Sequence, residues 1–408
     1  MFANNRTRSR LMAFGVLMLL SGACGAEDSI WSTAQVHGFG SQSWLKSNNN
    51  DFFGPTSSSG GSWDFTELGI NGSIRPFSNL QLSGQVIGHR SGGSDSGSVE
   101  VDYLFADWNM HASETGLFGA RLGRVKNPLG FYNETRDVAF TRPSILLPQS
   151  IYFDATRTLA LSADGIQFYG ESRGGEDTLS FQMNYGYPRV TGDELELVVQ
   201  GRDVPGKMDS EQSFLARVMY DHLGGRWRAA VTYGDVHSSY EAEPLDDLPS
   251  IGDFHFNPLI FSAEYNAERW SIVGEYAVRS SKLDDIKIGS FDPDLPPVEF
   301  EGISYYLQGI YRFTPQVQGL LRYDVLYQDK DNKQGGCLQE TVNGLPSHSC
   351  FAKDWTVGLT WTITPQIMLR AEYHMVNGTG WLTRTDNPDP SKTQRRWNLF
   401  AFQAAFRF

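Results

Sequence analysis

Residues 355–363 read Trp355-Thr356-Val357-Gly358-Leu359-Thr360-Trp361-Thr362-Ile363, with every second side chain apolar. Successive side chains of a strand point to opposite faces. Trp355, Val357, Leu359, Trp361 and Ile363 therefore make one greasy face, and Thr356, Gly358, Thr360 and Thr362 the polar one. The same period recurs over 178–187, where Leu179, Phe181, Met183, Tyr185 and Tyr187 alternate with Ser180, Gln182, Asn184 and Gly186. It appears again around Trp270, Ile272, Tyr276 and Val278, set against Ser271, Glu275 and Arg279.

A soluble sandwich alternates too, but three features point elsewhere. The apolar faces are rich in Tyr, Trp and Phe near strand ends, as an interfacial girdle would be. The runs span about ten residues, which suits a tilted membrane strand better than the ~5–6 of soluble sheets. The polar faces carry Arg322, Asp324, Arg370, Glu372 and His374, which a dry core tolerates only in pairs and a wet lumen accepts.

Working outward, sixteen such runs are expected: 33–46, 63–75, 80–90, 98–111, 117–126, 164–172, 178–188, 213–221, 227–237, 257–267, 269–281, 301–313, 317–328, 352–363, 366–377 and 397–408. The run at 98–111 has two competing phases. Short connections alternate with long ones, as short periplasmic turns and long outer loops do in membrane barrels. Thr314-Pro315-Gln316 and Thr364-Pro365-Gln366 are two of the short turns, where a fixed φ helps and a missing N–H costs little. The long connections are 47–62, 127–163, 189–212, 237–256, 282–300, 329–351 and 378–396. The expected fold is all-β: a transmembrane antiparallel barrel of about sixteen strands over residues 27–408. An even count places both ends on the periplasmic side.

The first 26 residues read as an export signal. Arg6, Arg8 and Arg10 precede the ten-residue apolar core Leu11–Leu20, and Cys24 and Ala26 are small residues before the expected cut. Cys24 leaves a lipoprotein reading open, although Leu20 lies four residues before it rather than three. Nowhere else do ~18 apolar residues run together, so any membrane crossing is by strands.

Among 408 residues the net charge is −13, and losing the three signal arginines makes it −16. That balance excludes a nucleic-acid partner and suits acidic outer loops. The mean hydropathy of −0.35 looks soluble because alternation averages it away. Cys337 and Cys350 share one expected loop and form a disulfide in an oxidising compartment. Two thiols without paired histidines make a poor metal site, and no cofactor is implied.

The chain closes on WNLFAFQAAFRF, with Phe400, Phe402, Phe406 and Phe408 on one face. A terminal aromatic on such a strand resembles the assembly signal of bacterial outer-membrane proteins, which implies recognition of Phe408 by the barrel-assembly machinery. The whole layout resembles the sixteen-stranded general and substrate-selective porins of Gram-negative bacteria. Residues 122–154, LGRVKNPLGFYNETRDVAFTRPSILLPQSIYFD, are similar to the strand-to-loop passage of porins related to the phosphate- and dicarboxylate-selective kinds. The resemblance implies a homotrimer among outer-membrane lipid and lipopolysaccharide that passes small hydrophilic solutes. It also implies that the loop after strand five, here 127–163, folds inward and narrows the lumen. No dense ladder of lysines and arginines marks a phosphate channel.

A pore discriminates by width and by the charge at its narrowest point. Arg124, Lys126, Arg136, Arg142 and Arg157, with Glu134, Asp137 and Asp154 opposing them, are the candidate constriction residues. Arg217, Arg322, Arg370 and Glu372 are candidate wall charges, alongside Arg228, Glu264, Glu275, Arg279, Arg312 and Asp324. Two readings stand for the loop charges. Their positive excess focuses a field that favours small anions, or they pair and pin the loop to the wall. Catalysis is not expected, because most of the histidines fall in expected turns or loops without a matching nucleophile motif. A barrel acting as receptor or adhesin, without a conducting pore, is the remaining alternative.

Overall fold

A backbone that crosses lipid must satisfy every N–H and C=O within the protein, which leaves a sheet only one solution: closure on itself. The structure, a computed structural model, describes residues 30–190, 193–201, 204–242, 250–287, 295–337, 340 and 344–408. The expected signal segment and Cys24 lie outside the described residues. The strands are β1 (Gln35–Ser47), β2 (Ser62–Phe77), β3 (Leu80–Ser91), β4 (Asp95–Ser113), β5 (Gly116–Lys126), β6 (Ser162–Gly174), β7 (Asp177–Pro188), β8 (Gly206–Ser210) and β9 (Ser213–His222). They continue as β10 (Trp227–Ala242), β11 (Ser250–Asn266), β12 (Trp270–Lys287), β13 (Val298–Arg312), β14 (Val317–Tyr327), β15 (Phe351–Thr364), β16 (Ile367–Gly378) and β17 (Arg396–Arg407).

All pairings are antiparallel, and β1 closes the sheet against β17, with Phe39 opposite Arg407 and Ser47 opposite Leu399. The segments β8 and β9 both pair with β10, one after the other, and form a single stave interrupted at Glu211 and Gln212. The barrel therefore has sixteen staves. Among the described residues no helix is long and apolar enough to cross a membrane. Two short helices, α1 (Arg157–Leu161) and α2 (Asp193–Gln200), lie in the connections.

The alternation read from residues 355–363 is the alternation of the wall. Trp355, Val357, Leu359, Trp361 and Ile363 are exposed on the outside, whereas Thr356 and Thr360 are buried inside. The strand register then stacks the outward aromatics into two belts. Trp270 stands opposite Tyr311 and Trp227 opposite Tyr265 at the end with short turns. Tyr276 stands opposite Tyr305 and Tyr323 opposite Trp355 toward the other end. Amphipathic rings at both borders of an apolar band are what lipid headgroups select.

The two phases of the fourth run have a structural cause. Asp102 is an extra residue between Val101, which faces Val86, and Tyr103, which faces Gln85. This β-bulge moves the outward set from Val99 and Val101 to Leu104, Ala106 and Trp108, and it turns Asp102 inward, where Gln85 donates to it at 2.7 Å. Elsewhere the strands outrun the expected runs. β10, β11 and β12 continue to Ala242, from Ser250 and to Lys287, so the expected loops 237–256 and 282–300 are partly sheet. Polar residues such as Asp253 and His255 interrupt the pattern there, while inward Phe254 and Leu283 keep it going.

Arginine substituted at Leu359, midway between the aromatic belts, is expected to lower unfolding stability in lipid vesicles by about 2–4 kcal/mol. Urea titration of the folded barrel measures it, and an unchanged midpoint would mean that this face does not meet hydrocarbon.

Candidate functional site: the segment inside the barrel

The connection after β5 does not leave the barrel. The Asn127 N–H donates to the Leu161 carbonyl at 3.1 Å, and the Asn133 amide donates to the carbonyls of Asn127 (3.0 Å) and Ala160 (2.8 Å). This pinches the neck and returns residues 127–161 to the wall they left. Between those points the chain bonds to inward side chains from most of the circumference.

On one side the Glu275 carboxylate of β12 is the anchor. It accepts from the Tyr152 hydroxyl (2.6 Å), the Tyr306 hydroxyl (2.9 Å), the Ser262 hydroxyl (2.6 Å) and the Phe131 N–H (3.0 Å). Gly130 makes this approach possible. Its φ is +58°, and a Cβ there would lie 2.5 Å from the Tyr152 oxygen and 2.7 Å from the Glu275 carboxylate. Arg217 of β9 donates to the Gly130 carbonyl at 2.6 Å and pairs with Glu134.

On the opposite side Glu67 of β2 receives Arg142 at 2.7 Å and the Ser41 hydroxyl at 2.6 Å. Glu372 of β16 accepts the backbone N–H groups of Ile145 (2.5 Å) and Leu146 (3.3 Å). Arg370 donates to the carbonyls of Arg142 (2.7 Å) and Ser144 (3.2 Å). Arg322 of β14 donates to the Ser144 hydroxyl and the Leu146 carbonyl, both at 3.0 Å. Asp324 accepts the Ser150 N–H at 3.3 Å.

Between these anchors lies a third charge cluster. Asp137 faces Arg157 at 2.5 Å and Lys126 at 3.0 Å, and Lys126 also bonds Asp102. Arg136 pairs with Asp154 at 2.8 Å. Burial alone would raise the Asp137 carboxyl, but Arg157, then Lys126, outweigh it and hold the group well below the usual carboxylate range.

Apolar packing completes the seat. Ile145 and Leu146 join Leu45, Phe65, Leu326 and Trp397 on one side, while Leu129, Leu147 and Ile151 join Ile260, Ala277 and Leu283 on the other.

Of the residues singled out in the sequence, Lys126, Glu134, Arg136, Asp137, Arg142, Asp154, Arg157, Arg217, Arg322, Arg370 and Glu372 are brought together in or around this segment. Arg124 stands apart. It shares the outward face of Leu122 and holds Asp164 through two bonds of 2.7 and 2.9 Å. Cys337 and Cys350 are disulfide-bonded in the connection between β14 and β15.

Sequence reasoning missed Glu67, Asp102, Gly130 and Tyr306. The inward parity of Glu67, two residues after Phe65, was available as a signal. Asp102 was concealed by the bulge. Glu67, His89 and Asp137 bring ligand atoms within 4.8 Å of one another, the one grouping of metal-ligating side chains among the described residues. Both carboxylates already face cations, Arg142 for one and Lys126 and Arg157 for the other, so a metal would meet a positive neighbourhood.

No protein-family model and no curated protein sequence matches the chain. Solved structures match nearly all of it. An anion-selective porin from Comamonas acidovorans aligns with 92% of this chain and 99% of its own, at TM-score 0.55 and 12% identity. OmpF of Salmonella typhi, solved with daunomycin, aligns over 92% and 97% at TM-score 0.55 and 13% identity. The outer membrane channel DcaP of Acinetobacter baumannii aligns over 92% and 97% at TM-score 0.53 and 13% identity.

Asp137→Asn leaves Lys126 and Arg157 buried with one counter-charge fewer. It is expected to cost about 3–5 kcal/mol of stability, read by urea unfolding. The native pairing has a pH window of its own. A depressed carboxyl contributes fully above the unfolded value and is lost only as pH falls through the folded one. The amide-exchange protection factors of residues beside Asp137 should therefore be the same at about pH 5 as at neutrality, and should fall only in stronger acid.

Proposed function

From the sixteen-stranded fold that this chain shares with outer-membrane porins, we propose that the protein is a passive channel for small hydrophilic solutes, narrowed by residues 127–161. The observation that carries this reading is the seat of that segment. It is held at Glu67, Arg217, Glu275, Asp324 and Glu372, on strands spread round the barrel, while the outer surface is apolar. A wall that is greasy outside and charged inside, crossed by an ordered segment, is the construction of a selective passage. The same reading includes export by residues 1–26, assembly through the terminal Phe408 strand, a homotrimer, and a surround of outer-membrane lipid and lipopolysaccharide.

The charge balance revises the basis of ion preference. The positive excess of the candidate constriction residues is met by acids of the wall, Glu67 for Arg142 and Asp102 for Lys126. A positive field from Arg136, Arg142 and Arg157 is thereby muted. The anion preference in this proposal is modest, and its source is the lumen-facing guanidinium of Arg279, which donates to one carbonyl alone and lines an open cavity.

A sealed barrel that presents its outer connections as a receptor is the second reading. The apolar packing on both sides of the segment favours it.

Planar-bilayer recording separates the two. The wild-type protein should show a small, steady, ohmic conductance, and Arg142→Ala, which frees the segment from Glu67, should raise it severalfold. Silence from both proteins would defeat the channel. The reversal potential across a KCl gradient reads the preference, and a cation-selective wild type would remove the anion claim.

A further inference from the structure

The lumen-facing side of β11–β13 is not built like the rest of the interior. Inward Phe254, Phe256, Ile260, Leu283 and Phe300 are apolar, and with Ile151 and Phe153 of the internal segment they line a cavity of about 590 Å³. Ligand pockets commonly fall between about 300 and 1,000 Å³ and pair apolar walls with a few placed polar groups. Of the cationic side chains on its lining, Lys287 pairs with Asp285 and Arg384 donates to the Gly201 carbonyl, whereas Arg279 stands on the same inward face of β12 as Ala277 and Ser281.

Arg279 has fewer acceptors than Arg322 and Arg370, which also stand without an ion pair among the described residues but donate to several hydroxyls and carbonyls. The Arg279 Nη2 donates to the Tyr327 carbonyl at 3.2 Å, and Nε is buried with no partner. No carboxylate among the described residues comes within ion-pair distance. By contrast, Arg136 on the cavity rim pairs with Asp154 and donates to the Tyr152 carbonyl. The wall also makes room for the guanidinium. A Cβ on Gly302 of β13 would sit 3.0 Å from Nη2 and 2.8 Å from the Tyr327 oxygen. Asp324 acts on this charge only from beyond ion-pair distance, so most of the guanidinium donors face the apolar chamber without an acceptor, which is costly until a ligand supplies one.

We propose that this cavity binds an amphipathic monocarboxylate. Its aliphatic or aromatic body lies against Phe254, Phe256 and Leu283, and its carboxylate accepts the free N–H groups of Arg279. A short hydrophilic anion would satisfy the charge but waste the apolar wall. A neutral chain would do the reverse. The proposal rests on the channel reading for the route by which the ligand arrives, and not for binding itself.

Calorimetric titration of the full chain in lipid nanodiscs, blanked against empty nanodiscs, tests it with octanoate, acetate and octanamide. Octanoate should bind saturably and acetate should not. Arg279→Met should weaken octanoate by about tenfold or more, the loss of a charge-assisted pair, and leave octanamide nearly unchanged. Ser281→Phe, which fills the cavity beside Arg279, should abolish binding of both long-chain ligands. It keeps the test decisive should Arg279→Met fail to fold. Equal binding of acetate and octanoate, or octanoate binding indifferent to these substitutions, overturns the proposal. Conductance of the same preparations keeps the two claims apart. A conducting barrel that ignores octanoate defeats only this inference, and a sealed barrel that binds octanoate defeats only the channel.

Discussion

Hydrogen-bond closure of the backbone is the constraint from which the rest follows. An open sheet edge in lipid would strand a row of N–H and C=O groups at several kcal/mol each. Pairing β1 with β17 over Phe39 to Ser47 removes both edges at once. Once the sheet is a cylinder, its two faces acquire different solvents. Outward positions then favour Leu359 or Trp361, and inward positions are free to carry Arg322 or Glu372. Periodicity, composition and charge placement are all consequences of that one closure.

The inward charges do not simply face water. Arg322, Arg370, Glu275 and Glu372 are nearly inaccessible, because residues 127–161 cover them and offer backbone groups in exchange. Carbonyls of 142–146 meet the arginines, and N–H groups of 131 and 145–146 meet the glutamates. A loop has unpaired backbone groups by nature, and a barrel wall of this kind has polar side chains with spare valence. Each solves the other's problem. The seat is also directional, since a carboxylate accepting two successive N–H groups fixes where Ile145 stands far more narrowly than apolar packing would.

Much of this was legible in the sequence. Period two located all sixteen staves, because one face in lipid and one in polar surroundings leaves no freedom in the pattern. The long connection after the fifth stave was legible for its length. Features that break parity were not legible. The bulge at Asp102 made the fourth run read in two phases. The extensions of β10–β12 beyond the membrane no longer need a lipid-facing side, so their alternation fades. Pairing was harder still. Arg142 and Glu67 are 75 residues apart, and only the curvature of the closed sheet puts them within 2.7 Å. Counting charges in a window gave the segment a positive excess, and the wall acids that cancel it lie in other windows.

The distribution of partners inside the barrel is uneven, and that unevenness is informative. Asp137 has two cations, Glu275 has four donors, and Glu67 has a bidentate guanidinium. These groups hold the segment, and a solute could reach them only by dislodging it. Arg279 has one carbonyl and an apolar chamber. Saturated charges are spent on architecture, so selectivity in such a barrel must come from whatever charge the architecture leaves unmet. By that argument the guanidinium of Arg279 on the wall of β12 is more open to a ligand than the dense charge cluster of the segment.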